Sequence, residues 1–168
     1  MASVGKYARI ENERRFLLPP MDGELMDMNL PRRFILDNYI TGTNLRLREV
    51  DDEGKKLYKL TKKTSLSPGR EVITTIYLSQ DEYQLLGKLP AVLVSKVRFL
   101  MAYNELTIGI DSYANEDDEL LLAEVEFETE EQMNAFEMPI PYQTEVTGKD
   151  EFSGFALANR FGWENSRF

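Results

Sequence analysis

The sequence predicts a mainly β chain of the α+β class. Its eight strands would form an antiparallel closed barrel, a tunnel, with a few short helices packed outside and a helix at the C-terminus. Two observations carry this. Runs rich in β-branched and aromatic residues recur between closely spaced turn signals, the pattern of an antiparallel meander. Helix-start signals are few and short, so helices can only decorate a closed or nearly closed β structure.

Taken in order, the strands are expected near residues 8–17, 34–40, 44–50, 56–63, 72–79, 92–103, 105–113 and 120–128. Residues 18–33, with Pro19, Pro20 and Pro31, read as a loop holding one helical turn. Ser79-Gln80-Asp81-Glu82 and Thr129-Glu130-Glu131-Gln132 are capping boxes that start two helices. A third helix is expected from Ser153 to Phe161, stopped by Gly162 as its C-cap. Tyr39, Tyr58, Tyr77, Tyr103 and Phe99 alternate with polar residues and read as barrel packing. Glu116-Asp117-Asp118-Glu119 reads as a solvated hairpin tip, since it lacks the ligand spacing of a calcium loop.

At 168 residues the chain is expected to be one domain, 1–168, with one site. It has no Cys, which excludes disulfides, thiolate metal sites and cysteine nucleophiles, and no His, which leaves acid–base work to carboxylates, Lys, Tyr or water. No apolar run approaches the roughly 20 residues of a membrane span, and no secretory h-region opens the chain, so a cytoplasmic location away from membranes is the expectation. A net charge of -9 argues against generic nucleic-acid binding. It does not exclude a locally basic pocket.

The charge pattern is more specific. Side chains two apart on a strand share a face, roughly 7 Å from each other. Glu11, Glu13 and Arg15 therefore share one face, as do Arg46 with Arg48, Lys59 with Thr61 and Lys63, Lys96 with Arg98, and Glu124 with Glu126. Arg70 begins the next strand region, and Asp111 is in phase with Gly109. Two like charges at that spacing repel by about 2 kcal/mol at an effective dielectric near 20. Several strands repeat the pattern without neutralising it internally, which suggests a bound counter-charge. If the ionic faces converge inside the barrel, an acidic cluster faces a basic one. Such a lumen suits a divalent cation bound to an oligophosphate.

Six segments then match a known family in order: Glu11-Asn12-Glu13-Arg14-Arg15-Phe16-Leu17, Leu45-Arg46-Leu47-Arg48, Leu60-Thr61-Lys62-Lys63, Lys96-Val97-Arg98, Ala123-Glu124-Val125-Glu126-Phe127 and Glu145-Val146-Thr147-Gly148. They resemble the CYTH superfamily, the triphosphate tunnel metalloenzymes. The resemblance implies a tunnel that binds small-molecule triphosphates with Mg²⁺ or Mn²⁺, in a monomer or homodimer. It implies metal ligands at Glu11, Glu13, Glu124 and Glu126, and Asp111 on the lumen face is counted with them. It implies a phosphate cradle of Arg46, Arg48, Lys63, Lys96 and Arg98, extended by Lys59 and Arg70. The segment from Phe152 to Ala158 resembles the family's terminal helix, which closes one end of the tunnel.

Two departures stand out. Arg15 occupies a position where the family usually has Lys, and Arg does not readily transfer a proton. After Arg70 the expected in-phase acids are replaced by Val72, Ile73, Thr74 and Thr75 with only Glu71 nearby, which implies that one carboxylate is missing. The function expected is metal-dependent hydrolysis of a triphosphate, foremost inorganic tripolyphosphate, with Glu13, Arg15 and Glu126 as the catalytic set and Glu126 or Glu13 assisting the attacking water. Two alternatives remain: a non-catalytic polyphosphate- or nucleotide-binding module, and a cyclase making cyclic AMP from ATP.

Overall fold

Strand pairing carries the chain around a closed ring. In the computed structural model, which describes residues 5–21 and 23–165, eight long strands appear: β1 (Arg9–Leu17), β2 (Arg32–Ile40), β3 (Leu45–Asp52), β4 (Lys55–Ser67), β5 (Arg70–Leu78), β6 (Ala91–Tyr103), β7 (Leu106–Ala114) and β8 (Glu119–Phe127). The antiparallel order is β6-β2-β3-β4-β5-β1-β8-β7, and β7 pairs back to β6 to close the barrel. Two short strands complete the sheet: β9 (Thr144–Glu145) on β1, and β10 (Trp163–Glu164) on β6.

All eight expected strands form, and the main difference lies in one hairpin. β4 runs on to Ser67 and β5 starts at Arg70, because pairing continues through a bulge between Ser65 and Ser67. The tip is Gly69, at φ 75 and with its α-carbon too close to Glu13 O and Thr147 for a side chain, so only glycine fits the turn. Both capping boxes form, at the starts of α2 (Gln80–Leu86) and α3 (Glu130–Ala135). The loop between β1 and β2 holds one turn, α1 (Glu24–Asp27). Ser153 caps α4 (Gly154–Phe161) through its hydroxyl. None of the helices among the described residues is long and apolar enough to cross a membrane.

Directly opposed residues of an antiparallel pair face the same side. Arg48 lies opposite both Asp37 and Lys59, and Glu124 opposite both Arg15 and Gly109, so the ionic faces of successive strands turn the same way, inward. The alternate residues form the outer face. Phe16, Phe99, Ile108, Ile110, Val125 and Phe127 pack there under Leu25 of α1, Met133 of α3 and Phe136. A second apolar cluster stands at one end of the lumen, where Leu157, Ala158 and Phe161 of α4 meet Val94, Tyr113, Leu120, Leu122 and Val146. α4 thus stoppers that end.

Gly162 is the C-cap of α4, its N–H donating to Ala158 O. Its φ is -104, and an added Cβ would lie 1.9 Å from Leu93 O and 2.5 Å from Ala158 O. Contact with β6, not backbone handedness, demands glycine. Gly162→Ala should therefore cost about 1–3 kcal/mol through overpacking, read as a lower midpoint in denaturant unfolding.

Candidate active site

The inward faces enclose a cavity of about 640 Å³. Glu11, Glu13 and Arg15 of β1, Arg46 and Arg48 of β3, Lys63 of β4, Lys96 and Arg98 of β6, and Glu124 and Glu126 of β8 all line it. Its mouth runs between the β2–β3 and β4–β5 hairpins and the segment leading into α4, including Thr43, Ser67, Lys149 and Phe155. Gly154 begins α4 against the Tyr39 hydroxyl, where a Cβ would be 1.9 Å away.

The basic wall is held from behind by two buried acids. Arg48 donates through Nε and Nη2 to the two carboxylate oxygens of Asp37 at 2.6 and 2.7 Å, and Arg46 Nε lies 3.6 Å from the same acid. Arg98 holds Asp111 in the same forked way at 2.6 and 2.7 Å, while Lys96 Nζ donates to Asp111 at 2.6 Å and to the Tyr113 hydroxyl at 3.1 Å. Asp37 and Asp111 are 1% and 0% exposed. Desolvating such acids is costly unless the geometry and remaining hydrogen bonds compensate, and bidentate Arg supplies that geometry. Burial would raise the Asp37 pKa, but the Arg48 and Arg46 guanidiniums hold it well below the usual carboxylate range. Burial lowers the pKa of Lys96, with Arg98 and Arg48 adding to the effect against the pull of Asp111.

The acidic wall is less evenly neutralised. Glu124 accepts from Arg15 Nη2 at 2.7 Å and from Arg98. Lys63 donates to Glu11 and, at 3.0 Å, to Glu71. Glu13 and Glu126 sit directly opposite each other across β1 and β8, an arrangement that disfavours two charged acids. Their ion pairs are longer than the 2.7 Å of Arg15 to Glu124, with Arg15 Nε at 3.5 Å from Glu13 and Arg9 Nη2 at 3.9 Å from Glu126. Burial, then the charges of Glu124 and Glu11, push the Glu13 pKa up to about 7 against Lys63 and Arg15. Burial and Glu11 raise that of Glu126.

This donor set fits a hard divalent cation. Mg²⁺ is typically held by one or two carboxylates, with water and phosphate oxygens completing its shell. Glu13 and Glu126 offer two facing, under-neutralised carboxylates. Among the described residues no three acids converge into a metal cage of their own. Counting the backing layer, Arg15, Arg46, Arg48, Lys63, Lys96 and Arg98 face seven acids: Glu11, Glu13, Asp37, Glu71, Asp111, Glu124 and Glu126. A lumen with that balance gives a triphosphate little net attraction unless a cation accompanies it.

Three residues named from sequence stand elsewhere. Asp111 is on the lumen face but behind the bases, its oxygens taken by Lys96 and Arg98. Lys59 faces inward opposite Arg48 but does not line the cavity, and its Nζ lies 5.5 Å from the Tyr77 ring centre. Arg70 is not in the lumen. It reaches Asn12 at 3.3 Å and Glu130 of α3 at 3.2 Å, on the outer face. Glu71, the next residue along β5 and opposite both Glu11 and Ser65, points inward in its place. One carboxylate after Arg70, Glu71, thus does face the lumen.

Arg15 is committed to structural partners. Besides Glu124, its guanidinium donates to the carbonyl of Phe152 in the 3-10 turn (Asp150–Phe152) before α4. Asp37 was not among the candidates from sequence. Its only signal there is an acid interrupting the apolar run Phe34-Ile35-Leu36 and Tyr39-Ile40.

No family model matches the chain, and no curated protein is similar to it in sequence. Solved structures do resemble it. Two crystal structures of NE1496, one describing it as an inorganic triphosphatase, align with TM-score 0.54 at 25% and 24% identity, covering 88% of this chain and 97% and 93% of theirs. The proposed adenylate cyclase bh2851 from Bacillus halodurans aligns with TM-score 0.54 at 15% identity, over 82% of this chain and 96% of its own. The PH1819 protein from Pyrococcus horikoshii gives TM-score 0.51 at 20% identity, over 74% and 82%. The chain thus has the fold of these structures, the closed eight-stranded antiparallel barrel expected from its resemblance to the CYTH superfamily, with an ionic inner face.

Proposed function

We propose that this chain is a metal-dependent hydrolase of triphosphates, with inorganic tripolyphosphate as its foremost substrate. The observation that carries the reading is the confrontation of two walls in one cavity: Glu13 opposite Glu126 on one side, and Arg46, Arg48, Lys96 and Arg98 on the other. Similarity in fold to the inorganic triphosphatase NE1496 supports it.

Phosphoryl transfer asks a protein mainly for positioning and for stabilisation of developing charge. The basic wall would hold the phosphate chain, its guanidinium planes already fixed by Asp37 and Asp111. Glu13 and Glu126 would hold Mg²⁺ or Mn²⁺, with Glu11 and Glu124 beside them, and the ion would supply Lewis acidity and charge neutralisation. Glu13 and Glu126, facing each other, are the carboxylates placed to take a proton from an attacking water. Arg15 holds Glu124 in place and cannot itself cycle a proton.

The reading is tested by phosphate release from tripolyphosphate, ATP, GTP and thiamine triphosphate with each cation. Tripolyphosphate with Mg²⁺ or Mn²⁺ should give the fastest release, and Glu13→Gln should lose at least about a hundredfold in turnover while keeping its fold. Cyclic AMP formed from ATP with Mn²⁺ would instead identify a cyclase. Tight triphosphate binding without product under any cation would identify a binding module.

Glu13 also sets a pH dependence for the cation-free protein. Its folded-state pKa of about 7 exceeds the ordinary 4.5, so between those values the folded state binds more protons than the unfolded state. Stability should therefore fall as pH rises from about 4.5 to 7. Denaturant unfolding across that window should show the decline, and Glu13→Gln should flatten it.

A further inference from the structure

The geometry points to Asp37 as a positioning residue for the phosphate-binding wall: it fixes the Arg48 fork, and with it the Arg46 guanidinium, in the orientation that meets a triphosphate. The inference rests on the proposed triphosphate reading and names a residue that this reading does not require.

Asp37 lies in the middle of β2, with Arg48 of β3 and Val94 of β6 as its register partners. It is 1% exposed and does not line the cavity, so it cannot touch a ligand there. Packing does not explain an acid at this point, because an apolar residue of similar volume would fill the space without the cost of desolvation. What the carboxylate does is occupy Nε and Nη2 of Arg48 with both oxygens. Among the described residues Arg48 Nη1 has no hydrogen-bond acceptor, and Arg48 lines the cavity. Two of its donor groups thus look back to the barrel wall while the third is left for the lumen.

Arg46, one inward position along β3, comes within 3.6 Å of the same acid, and its Nε is buried without a hydrogen-bond partner. A planar guanidinium gripped on one edge has lost most of its freedom before any ligand arrives. That preorganisation makes the remaining edge specific for an anion held in one place. The neighbouring strands β6 and β7 repeat the plan, with Asp111 behind Arg98 and Lys96, so holding two bases on one buried acid is how this lumen builds its basic wall.

A residue acting this way affects ground-state binding more than the chemical step. In Asp37→Asn, which keeps the shape and removes the charge, KM for tripolyphosphate should rise about tenfold or more, with kcat within about threefold of wild type. The Kd of tripolyphosphate measured by calorimetry with the cation present should rise in parallel. Arg48→Lys keeps the charge but cannot grip both oxygens, so it should show the same split. The double variant should be no worse than the weaker single one, since both changes remove one fork.

An unchanged KM and Kd in folded Asp37→Asn, or in Arg48→Lys should Asp37→Asn fail to fold, would overturn this inference alone. So would a kcat that falls in step with kcat/KM, or effects that multiply in the double variant. Wild-type protein that neither binds nor cleaves tripolyphosphate would sink the triphosphate reading and this inference with it.

Discussion

A barrel whose inner face is ionic can close only if the charges it encloses satisfy one another, because water no longer screens them as it does at a surface. Each strand taken alone violates this condition: Arg46 and Arg48 repel, as do Lys96 and Arg98, and Glu124 and Glu126. Closure resolves the conflict between strands. Asp37 on β2 serves the pair on β3, Asp111 on β7 serves the pair on β6, and Glu124 on β8 is shared by Arg15 and Arg98. The lumen is nearly self-neutral where it binds its own wall. Among the described residues its acids are least closely matched at Glu13 and Glu126, opposed across β1 and β8 and paired at 3.5 Å with Arg15 and 3.9 Å with Arg9.

The ionic interior displaces the hydrophobic core to other places. Most apolar burial lies on the outer face beneath α1, α3 and Phe136, and the rest lies under α4 at the stoppered end. The larger cluster sits on the face opposite the ionic residues, separated from them by the alternation of the backbone, while the second shares the inner face but lies farther along the tunnel, at the stoppered end. Arg15 joins the two systems. It faces the lumen, but it binds Glu124 with one nitrogen and the Phe152 carbonyl with another, tying the acidic wall to the chain that leads into the stopper. Arginine suits that task better than lysine, having several donors in a fixed plane.

The strands were legible because each carries its own signature: alternation along the strand, turn residues at its ends, and two capping boxes that mark where β gives way to helix. The inward residues Glu11, Glu13, Arg46, Arg48, Lys63, Lys96, Arg98, Glu124 and Glu126 followed from the same period of two. Where the reading failed, the position depended on pairing between strands. Arg70 lies opposite Asn12 and turns outside to Glu130, while Glu71, opposite Glu11, turns inside to Lys63. Lys59 has the right phase, opposite Arg48, but its side chain lies off the cavity wall near the Tyr77 ring. Phase is written along a strand, whereas what a side chain lines depends on its neighbours across strands.

Asp37 marks the deeper boundary. A lone acid between Leu36 and Asn38 gives no local sign of its role, since its meaning comes from Arg48 on the next strand and from the burial that closure imposes. By itself the sequence determined the class of the fold, the strands and their faces, and the sign of the charge each face carries, because these depend on backbone alternation and turn chemistry within a few residues. Only the tertiary structure decided which charges neutralise one another, which acids lie behind the bases, and where two carboxylates are left facing. Those outcomes depend on register between strands distant in sequence, fixed only when the sheet closes on itself.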